Sequence, residues 1–416
     1  MIYIQSQEGT IKSMYDYINF DRFKFPEIRK IVDKEYEQIK QKIILLGSAN
    51  LPFENVLRAN GTVFDYNAIE KFFDNKLCFK YTTEELEKIG QKKVLRLFGI
   101  KNSEYGCTLQ PYSGTQANQI IYHALLNKGD HVLALREQDG GHISHINYVN
   151  KFFNLHTYSI SPDTYDLDYE EIETLCEKFS PRLLIAGTTS YPRMLSYDKL
   201  GKICKKYNIH LLADISHTAL YVATQFHTAP FPYADYITFT TNKTTRGGRG
   251  AILIYRKEYE EKVLQSLSMI SQGATIFSSL LSKNIMLSEL LNMNIKNYQN
   301  IILKNTKIFI DIFLKYGFEI YTSGSDTHLI IIRNIKMRSD MLQKALYNSG
   351  ILLNVYHTDE NISSIRIGTL FISTLQYSAE DVSKIVEYIA QIILYNRNYY
   401  KECKKIAEKY TSNIFK

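Results

Sequence analysis

The sequence predicts an α/β protein with a mostly parallel sheet, preceded by a helical arm and followed by a smaller α+β domain. Three observations support this fold class. The chain has 416 residues, enough for several domains and a large buried core. From about residue 105 onward, short apolar segments alternate with helical patterns. No repeat and no Pro/Gly/Ser-rich linker divides the chain.

The first predicted elements are two helices. Apolar residues at helical spacing between residues 27 and 45, the last of them Ile39 and Ile43, predict a helix in the arm. A second amphipathic pattern contains Leu86 and Val94 and ends near Gly99, where a glycine is typical of a helix end.

The strands of the predicted sheet are short runs that are apolar throughout. They are HVLAL (131–135), RLLIA (182–186), IHLLA (209–213), YITFT (236–240) and AILIY (251–255). Helical patterns, such as those over 115–126 and 197–207, separate them. Strands that are apolar on both faces and alternate with helices are typical of a parallel sheet covered on both sides.

A smaller α+β unit follows. After about residue 275 a long helical stretch leads to strands near HLIIIR (328–333) and SIRIG (364–368), and a helix over 378–396 closes the unit. We therefore predict an N-terminal helical arm at 1–60, a large α/β domain at 61–275, and a linking helix with the C-terminal α+β domain at 276–416.

Composition excludes several classes of function. The net charge, 50 − 43 = +7, is spread along the chain, which argues against a nucleic-acid partner. The five cysteines are far apart and form no CxxC pair, so we expect neither a disulfide framework nor a metal site. No apolar stretch approaches about 18 residues and no signal peptide is recognisable, so we expect a cytoplasmic protein without a membrane partner.

Polar residues follow three of the predicted strands, at the sheet edge where α/β proteins bind ligands, and a further polar segment upstream opens the predicted helix over 115–126. These segments are Ser113-Gly114-Thr115, Asp139-Gly140-Gly141-His142, Asp214-Ile215-Ser216-His217 and the run from Thr241 to Gly250 that contains Lys243. Each has an ordinary structural explanation: a helix cap, a loop histidine, a strand-end cap and a surface lysine. Only the combination of the four segments indicates a functional site.

Together these segments provide the groups that hold pyridoxal phosphate. A helix start can bind the phosphate, an imidazole can stack on the ring, a carboxylate can pair with the ring nitrogen, and a lysine can form the Schiff base. Asp214 and Lys243 are 243 − 214 = 29 residues apart, about one strand–helix–strand excursion. We therefore expect both side chains to reach one crevice.

Six blocks resemble the signature segments of the serine hydroxymethyltransferase family, in that family's order. They are PYSGTQAN (111–118), DGGHISH (139–145), LLADISH (211–217), TTNKTTRGGRG (240–250), SGSDTHL (323–329) and SIRIGT (364–369). The resemblance implies the fold-type I architecture of pyridoxal-phosphate enzymes, with a mostly parallel seven-stranded sheet covered by helices on both faces.

The resemblance also implies roles for single residues. Lys243 would be the Schiff-base lysine, Asp214 the partner of the ring nitrogen, His142 the stacked imidazole and His217 the imidazole near the phenolic oxygen. The remaining cofactor contacts would come from Ser113, Gly114, Thr115, Thr189, Thr240 and Gly273.

The substrate and the partner subunit are implied in the same way. Arg366 would bind the substrate carboxylate by a planar fork that lysine does not reproduce, and Ser48 would be a second substrate contact. Gln272-Gly273 resembles the family's Gln-Gly turn, which reaches the phosphate of the neighbouring subunit. The resemblance therefore implies a homodimer with shared active sites.

The N-terminal third departs from the family pattern. The family's Ser-Glu-Asn turn is Ser48-Ala49-Asn50 here, and its Glu-Gly-Tyr-Pro-Gly segment, which supplies the acid–base glutamate and part of the folate site, has no counterpart between Gly61 and Tyr81. Candidate replacements are Glu54, Asp65 and Glu70, with Tyr66 and Tyr81 as aromatic neighbours. No motif identifies any of them, and for each acidic residue an ordinary position on a solvated helix face is the favoured explanation.

Two further departures concern the lysine block and the Gln-Gly turn. Asn242 stands where the family has histidine before the lysine, and no histidine occurs in ATIFSSLLS (274–282). We therefore expect aldol or transaldol chemistry at the Cα–Cβ bond of a β-hydroxy amino acid, independent of folate and in a specialised pathway. The alternatives are decarboxylation, racemisation or transamination on the same scaffold, or a non-catalytic protein that retains the fold.

Overall fold

The computed structural model describes residues 25–62, 65 and 78–412, and of residues 78–81 it describes the backbone alone. The chain divides into two compact units. The sheet unit comprises Asn50–Leu303 and Gly324–Leu329. The second unit comprises the described residues of Met1–Ala49, Lys304–Ser323 and Ile330–Lys416. The domain boundaries that the sequence predicts at residues 60 and 275 remain a prediction.

The described residues form strands and helices in the following order. The strands are β1 Ile43–Ile44, β2 Tyr105–Thr108, β3 His131–Leu135, β4 Asn154–Tyr158, β5 Leu183–Gly187, β6 His210–Asp214, β7 Tyr236–Thr240, β8 Ala251–Arg256, β9 Leu329–Ile335, β10 Ile351–Leu352, β11 Asn354–Asp359 and β12 Ile362–Gly368. The helices are α1 Pro26–Gln41, α2 Glu54–Asn60, α3 Cys78–Phe98, α4 Gly114–Leu125, α5 Ile143–Phe152, α6 Tyr169–Phe179, α7 Tyr197–Tyr207, α8 Ala219–Ala223, α9 Glu260–Gln265, α10 Phe277–Asn292, α11 Ile295–Lys315, α12 Ser339–Asn348, α13 Leu370–Thr374, α14 Ala379–Tyr395 and α15 Tyr400–Thr411.

Seven strands form the central sheet, in the order β2-β8-β7-β6-β5-β3-β4. The pairs from β4 to β7 are parallel, which confirms the predicted mostly parallel sheet. The five predicted strands correspond to β3, β5, β6, β7 and β8. AILIY departs from the parallel pattern, because β8 runs antiparallel to both β7 and β2.

Burial explains why these strands read as continuous apolar runs. All five residues of β5 are buried, and so are the middle residues of β6. Helix α4 supplies an apolar face to the same core through Ala117, Ile120 and Ile121. Since both faces of the sheet are covered, polar side chains are tolerated mainly at the strand ends. The functional side chains can therefore be sought at one edge.

The predicted arm helix ends earlier than its periodicity suggested. Helix α1 ends at Gln41, and Ile43 lies in β1, where it pairs in parallel with Ile351. Ile43 is fully buried in the core of the second unit. The prediction that the helix extends through Ile43 was wrong because a long-range strand partner, invisible to local periodicity, satisfies this backbone.

The second unit contains the predicted α+β elements. Strands β11, β12 and β9 form a three-stranded sheet, and β12 contains the predicted SIRIG segment. The predicted closing helix corresponds to α14, which buries Val382, Ile385 and Ile389 in this unit's core. Among the helices that the structure describes, none is long and apolar enough to cross a membrane.

Candidate active site

Asp214 and Lys243 belong to neighbouring parallel strands and lie at the carboxyl edge of the sheet. Asp214 is the last residue of β6 and pairs in register with Thr238 of β7. Lys243 follows three residues after the end of β7 and is 9% exposed. The structure thus places both residues on the edge where the sequence predicted a crevice.

The Asp214 carboxylate is held by three hydrogen-bond donors. Oδ2 accepts from Asn118 Nδ2 at 2.9 Å and lies 3.0 Å from His145 Nε2, while Oδ1 accepts from the Ser216 N–H at 3.1 Å. Burial would by itself raise the pKa of Asp214, but these hydrogen bonds and the His145 charge outweigh it. The pKa of Asp214 therefore lies well below its ordinary value, and the group is an anion.

His145 and Asn118 were not among the predicted site residues. Both are buried, and Asn118 Oδ1 also accepts a hydrogen bond from Thr238 Oγ1 at 2.7 Å. A signal existed in the sequence: His145 lies three residues after His142 at the start of a helical pattern, which puts both imidazoles on one side of α5. Asn118 likewise lies one helical turn after Gly114.

His142 caps the start of α5. Its Nδ1 accepts a hydrogen bond from the Ser144 N–H at 3.1 Å, and its ring centroid lies 5.5 Å from that of His145 at an interplanar angle of 51°. The His142 ring is half-buried, whereas the His145 ring is buried against Asp214. His142 therefore lies one ring away from the carboxylate, with part of its surface accessible.

The segment Ser113–Thr115 forms the start of α4. Ser113 Oγ accepts a hydrogen bond from the Gln116 N–H at 3.1 Å. The serine is therefore an N-cap, which is the ordinary structural explanation given above for this segment. The first N–H groups of a helix have no partner within the helix and, with the helix dipole, favour an anion. The capping role and phosphate binding are therefore compatible at this helix start.

The space beside this helix start is one that a side chain would fill. A Cβ added at Gly114 would lie 2.6 Å from Thr240 Cγ2. Thr240 Oγ1 is buried and has no hydrogen-bond partner among the described residues. Leaving a buried hydroxyl without a hydrogen-bond partner costs free energy. A polar group of a bound ligand would supply that partner.

His217 lies in a stack of buried rings. Its Nε2 is 3.4 Å from Thr189 Oγ1, and its Nδ1 is 3.3 Å from Nε2 of His328. The His217 and His328 rings are nearly parallel, at 14°, and the Tyr221 ring is nearly parallel to that of His328, at 11°. Sequence reasoning placed His217 and Thr189 in the site but gave no role to His328, although it quoted the SGSDTHL block.

The backbone at Lys243 is fixed by side chains from elsewhere in the sheet unit. Asn50 Nδ2 donates to the Lys243 carbonyl at 2.7 Å and also to Tyr298 Oη at 3.0 Å. Arg246 adopts a positive φ of 55° and lies over the Phe53 ring. Asn242, which replaces the expected histidine, is half-buried.

Gly273 lies on the surface of the sheet unit. An added Cβ at Gly273 would meet no atom of the described residues within 4 Å. Its neighbour Gln272 is held by the same chain's helix α4, because Gln116 Nε2 donates to Gln272 Oε1 at 3.3 Å. The Gln-Gly turn is thus positioned from helix α4, while its outer side remains accessible.

Arg366 and Ser48 belong to the second unit, and Asn354 links their segments. Arg366 donates through Nη2 at 2.9 Å and through Nε at 3.2 Å to Asn354 Oδ1, which also accepts from the Gly47 N–H at 3.2 Å. Burial lowers the pKa of Arg366, yet the guanidinium stays charged. Ser48 itself is exposed in the adjacent turn.

Two of the three acidic candidates near the missing glutamate make structural contacts. Glu54 forms a surface ion pair with Arg58 one helical turn away in α2. Asp65 caps the start of α10 by accepting from the Ser278 N–H at 2.9 Å and from the Ser278 hydroxyl. Glu70 and Tyr66 lie outside the described residues, as does the Tyr81 side chain.

The arrangement fits pyridoxal phosphate. It combines a buried anion able to face a protonated ring nitrogen, a helix start for the phosphate, a partnerless buried hydroxyl at Thr240 and a nearby lysine. No group of three or more His, Cys, Asp or Glu side chains that could hold a metal ion occurs within the described part of the chain.

Comparison with protein families agrees with this reading of the site. A family model described as serine hydroxymethyltransferase matches residues 22–389, which is most of the chain. Enzymes of this family are fold-type I transferases that use pyridoxal phosphate and act on small amino acids. The match includes all six signature blocks together with the Asp214 and Lys243 edge of the sheet. The chain therefore belongs to the serine hydroxymethyltransferase family.

Proposed function

We propose that this protein makes or breaks the Cα–Cβ bond of a β-hydroxy amino acid without folate, as one step of a specialised pathway. The observation that carries the proposal is the buried Asp214 anion at the same sheet edge as Lys243. When bound, pyridoxal phosphate takes up the electron pair that is released as a bond to Cα breaks. A permanent anion opposite the ring nitrogen favours that uptake.

Residues of the chain itself would bind and orient the cofactor and the substrate. Lys243 would hold the cofactor as a Schiff base, and Asp214 would keep a proton on the ring nitrogen. His142 would stack on the ring, while His217, oriented by Thr189 and His328, would lie near the phenolic oxygen. Arg366, already oriented by Asn354, binds the substrate carboxylate, and Ser48 contributes a second substrate contact.

Independence from folate is supported by what replaces the family's acid–base segment. The sequence contains no Glu-Gly-Tyr-Pro-Gly motif. Of the acidic candidates with described positions, Glu54 pairs with Arg58 and Asp65 caps α10. Folate-dependent transfer needs a carboxyl group that is poised to move protons beside the pteridine. A carboxylate that serves as a helix cap or a surface partner is poorly placed for that task.

The decisive experiment measures aldehyde release from serine, threonine and longer β-hydroxy amino acids by the holoenzyme, with and without tetrahydrofolate. We expect glycine and aldehyde in equal amounts, at a rate that tetrahydrofolate changes less than about twofold, since no folate-dependent proton transfer is required. Lys243→Ala should abolish the release. Arg366→Lys should raise KM about 10- to 100-fold, because lysine does not reproduce the bidentate contact.

Product analysis separates the alternatives. Carbon dioxide, an inverted α-carbon or a keto acid as the main product from any of these substrates would replace the proposal with decarboxylation, racemisation or transamination. A strong acceleration by tetrahydrofolate would contradict the folate-independent part alone. Unchanged cofactor absorbance in Lys243→Ala would contradict the lysine's role and favour a non-catalytic protein.

We also propose that the protein is a cytoplasmic homodimer whose subunits share their active sites. The support is an exposed apolar surface beside Gly273: Met269 is 73% exposed and Ile270 is 60% exposed. Both residues lie in a π-helical segment, Ser266–Ser271, that leads directly into the Gln-Gly turn. Apolar side chains next to a turn that resembles the family's subunit-bridging turn suit a contact with a second copy.

A further inference from the structure

The buried segment that leads into the helix proposed to bind the phosphate lies beyond the paired residues of β2 and β8. The pairing of β2 with β8 ends at Thr108, and Leu109, Gln110 and Pro111 follow before the helix start at Ser113. All three are buried. Because buried peptide groups need hydrogen-bond partners, this segment depends on whatever satisfies its backbone.

Two buried charged side chains provide most of those partners. Glu87 of α3 accepts from the Leu109 N–H at 2.9 Å and from Thr108 Oγ1 at 2.7 Å. Lys283 of α10 donates through Nζ to the Leu109 carbonyl at 2.6 Å and to the Pro111 carbonyl at 2.7 Å. Leu109 is thus held at its N–H by one helix and at its carbonyl by another.

Lys283 also contacts the segment that follows the Schiff-base lysine. A Cβ at Gly250 would lie 2.4 Å from Lys283 Cε, so the lysine stem occupies the space that glycine leaves there. The next residue, Ala251, donates its N–H to the same Pro111 carbonyl at 2.9 Å. Lys283 therefore lies where α10, the 109–111 segment and the end of the lysine block meet.

An apolar side chain would fill this space at lower electrostatic cost. Lys283 is only 2% exposed, and taking an ammonium group out of water is expensive unless strong hydrogen bonds compensate for it. Its two short contacts to carbonyl oxygens are directional, and they set the position of the backbone just ahead of Ser113.

We propose that Lys283 is a positioning residue for the cofactor phosphate: by holding the Leu109 and Pro111 carbonyls, it fixes the helix start at Ser113–Thr115. The inference rests on the cofactor part of the proposed function. It assigns Lys283 no contact with substrate or with the reacting atoms. Loss of Lys283 should therefore act on one part of the cofactor. A displaced helix start weakens binding of the phosphate group and leaves the contacts to the ring in place.

The test compares pyridoxal phosphate with pyridoxal, which lacks the phosphate, as ligands of the apoenzyme. For Lys283→Met we expect a dissociation constant for pyridoxal phosphate about 10- to 100-fold above wild type, and one for pyridoxal within about threefold. Titration of cofactor absorbance gives both constants without turnover. A general loosening of the fold would weaken both ligands alike.

Two further variants make the result specific. Lys93 offers a matched control, since its Nζ contacts the Asn284 carbonyl at 3.2 Å and Ser288 Oγ at 2.8 Å on the same helix α10, away from residues 109–111. Lys93→Met should leave both constants unchanged. Gly250→Ala should weaken pyridoxal phosphate selectively, because its Cβ displaces the Lys283 stem without removing the charge.

Equal affinity of wild type and Lys283→Met for pyridoxal phosphate would overturn the proposal, and so would equal weakening of both ligands. If Lys283→Met does not fold, either of these two results in Gly250→Ala would overturn the proposal instead. The proposed reaction fails by a different result, namely a protein that binds pyridoxal phosphate with the expected selectivity but cleaves no β-hydroxy amino acid.

Discussion

Asp214 shows how one buried side chain acquires its charge from its neighbours. Removal from water favours the neutral acid, and only the donors His145, Asn118 and Ser216 reverse that preference. The folded-state pKa is lower than the unfolded one, so the stability that this carboxylate contributes is present above about pH 4 and is lost as the pH falls further. At neutral pH Asp214 is therefore ionised with a wide margin.

Replacing His145 should bring the pKa of Asp214 closer to neutral pH. In His145→Leu the carboxylate loses the donor that lowers its pKa most, while its burial persists. Its pKa therefore rises, and an acidic limb appears in the pH profile of kcat that wild type lacks above about pH 5. We expect kcat at pH 7 to fall about 10- to 100-fold, as for loss of a hydrogen bond to a buried charge. The measurement is kcat from pH 5 to 9.

His123→Leu is the matched control, because His123 is an exposed imidazole on α4 that contacts Tyr148 rather than Asp214. Its profile should match wild type. An unchanged acidic side of the profile in His145→Leu would show that Asn118 and Ser216 alone keep Asp214 ionised.

At the scale of elements, the π-helical segment Ser266–Ser271 combines two properties. Ser266 and Leu267 are buried against the sheet unit, whereas Met269 and Ile270 point to solvent. Ser266 Oγ donates to the Ile120 carbonyl of α4, and Gln116 Nε2 donates to the Ser271 carbonyl at 3.0 Å. The segment is thus held by α4, the helix that we propose binds the phosphate, and it presents apolar side chains outward.

This element gives a test of the proposed dimer. Met269→Asp with Ile270→Asp should convert a dimer into a monomer, because two carboxylates cannot be buried unpaired in an interface. We expect sedimentation at micromolar concentration to show half the wild-type mass and cofactor affinity to fall at least tenfold, since a shared site loses its partner. Met341→Asp, at an exposed methionine of α12, is the control. A dimer that persists in the double variant would exclude this surface.

At the scale of the whole molecule, Lys283 links cofactor binding to stability. Burial lowers the pKa of Lys283 to about 7, and attraction to Glu87 opposes that shift only in part. The unfolded chain binds this proton up to about pH 10, so it binds more protons than the folded chain between about pH 7 and pH 10. In that window the free energy of unfolding must rise with pH.

We therefore predict that the apoprotein gains about 2 kcal/mol of stability between pH 7 and pH 9 from this one group. Denaturant unfolding at pH 7, 8 and 9 measures the gain. Lys283→Met should show a correspondingly flatter dependence, and Lys93→Met should follow wild type. Parallel pH dependences for Lys283→Met and wild type would contradict the shift. Above about pH 10 buried tyrosines such as Tyr158, whose pKa is raised by burial, reverse the trend.

Much of the sheet unit could be predicted because its elements carry local signals. The strands β3 and β7 and the helix α7 have the predicted bounds. The antiparallel direction of β8 had no such signal, since a buried strand reads the same in either direction. The C-terminal helix α15 was not predicted either, although it buries Cys403, Ile406 and Ala407.

The sequence by itself determined the family and the cofactor, because its six signature blocks follow the order of the serine hydroxymethyltransferase family. Only the tertiary structure brought His145 and Asn118 to Asp214, His328 to His217, and Glu87 and Lys283 to Leu109. These contacts join residues up to 174 positions apart. Long-range contacts of this kind depend on strand order and helix packing, which no local pattern encodes.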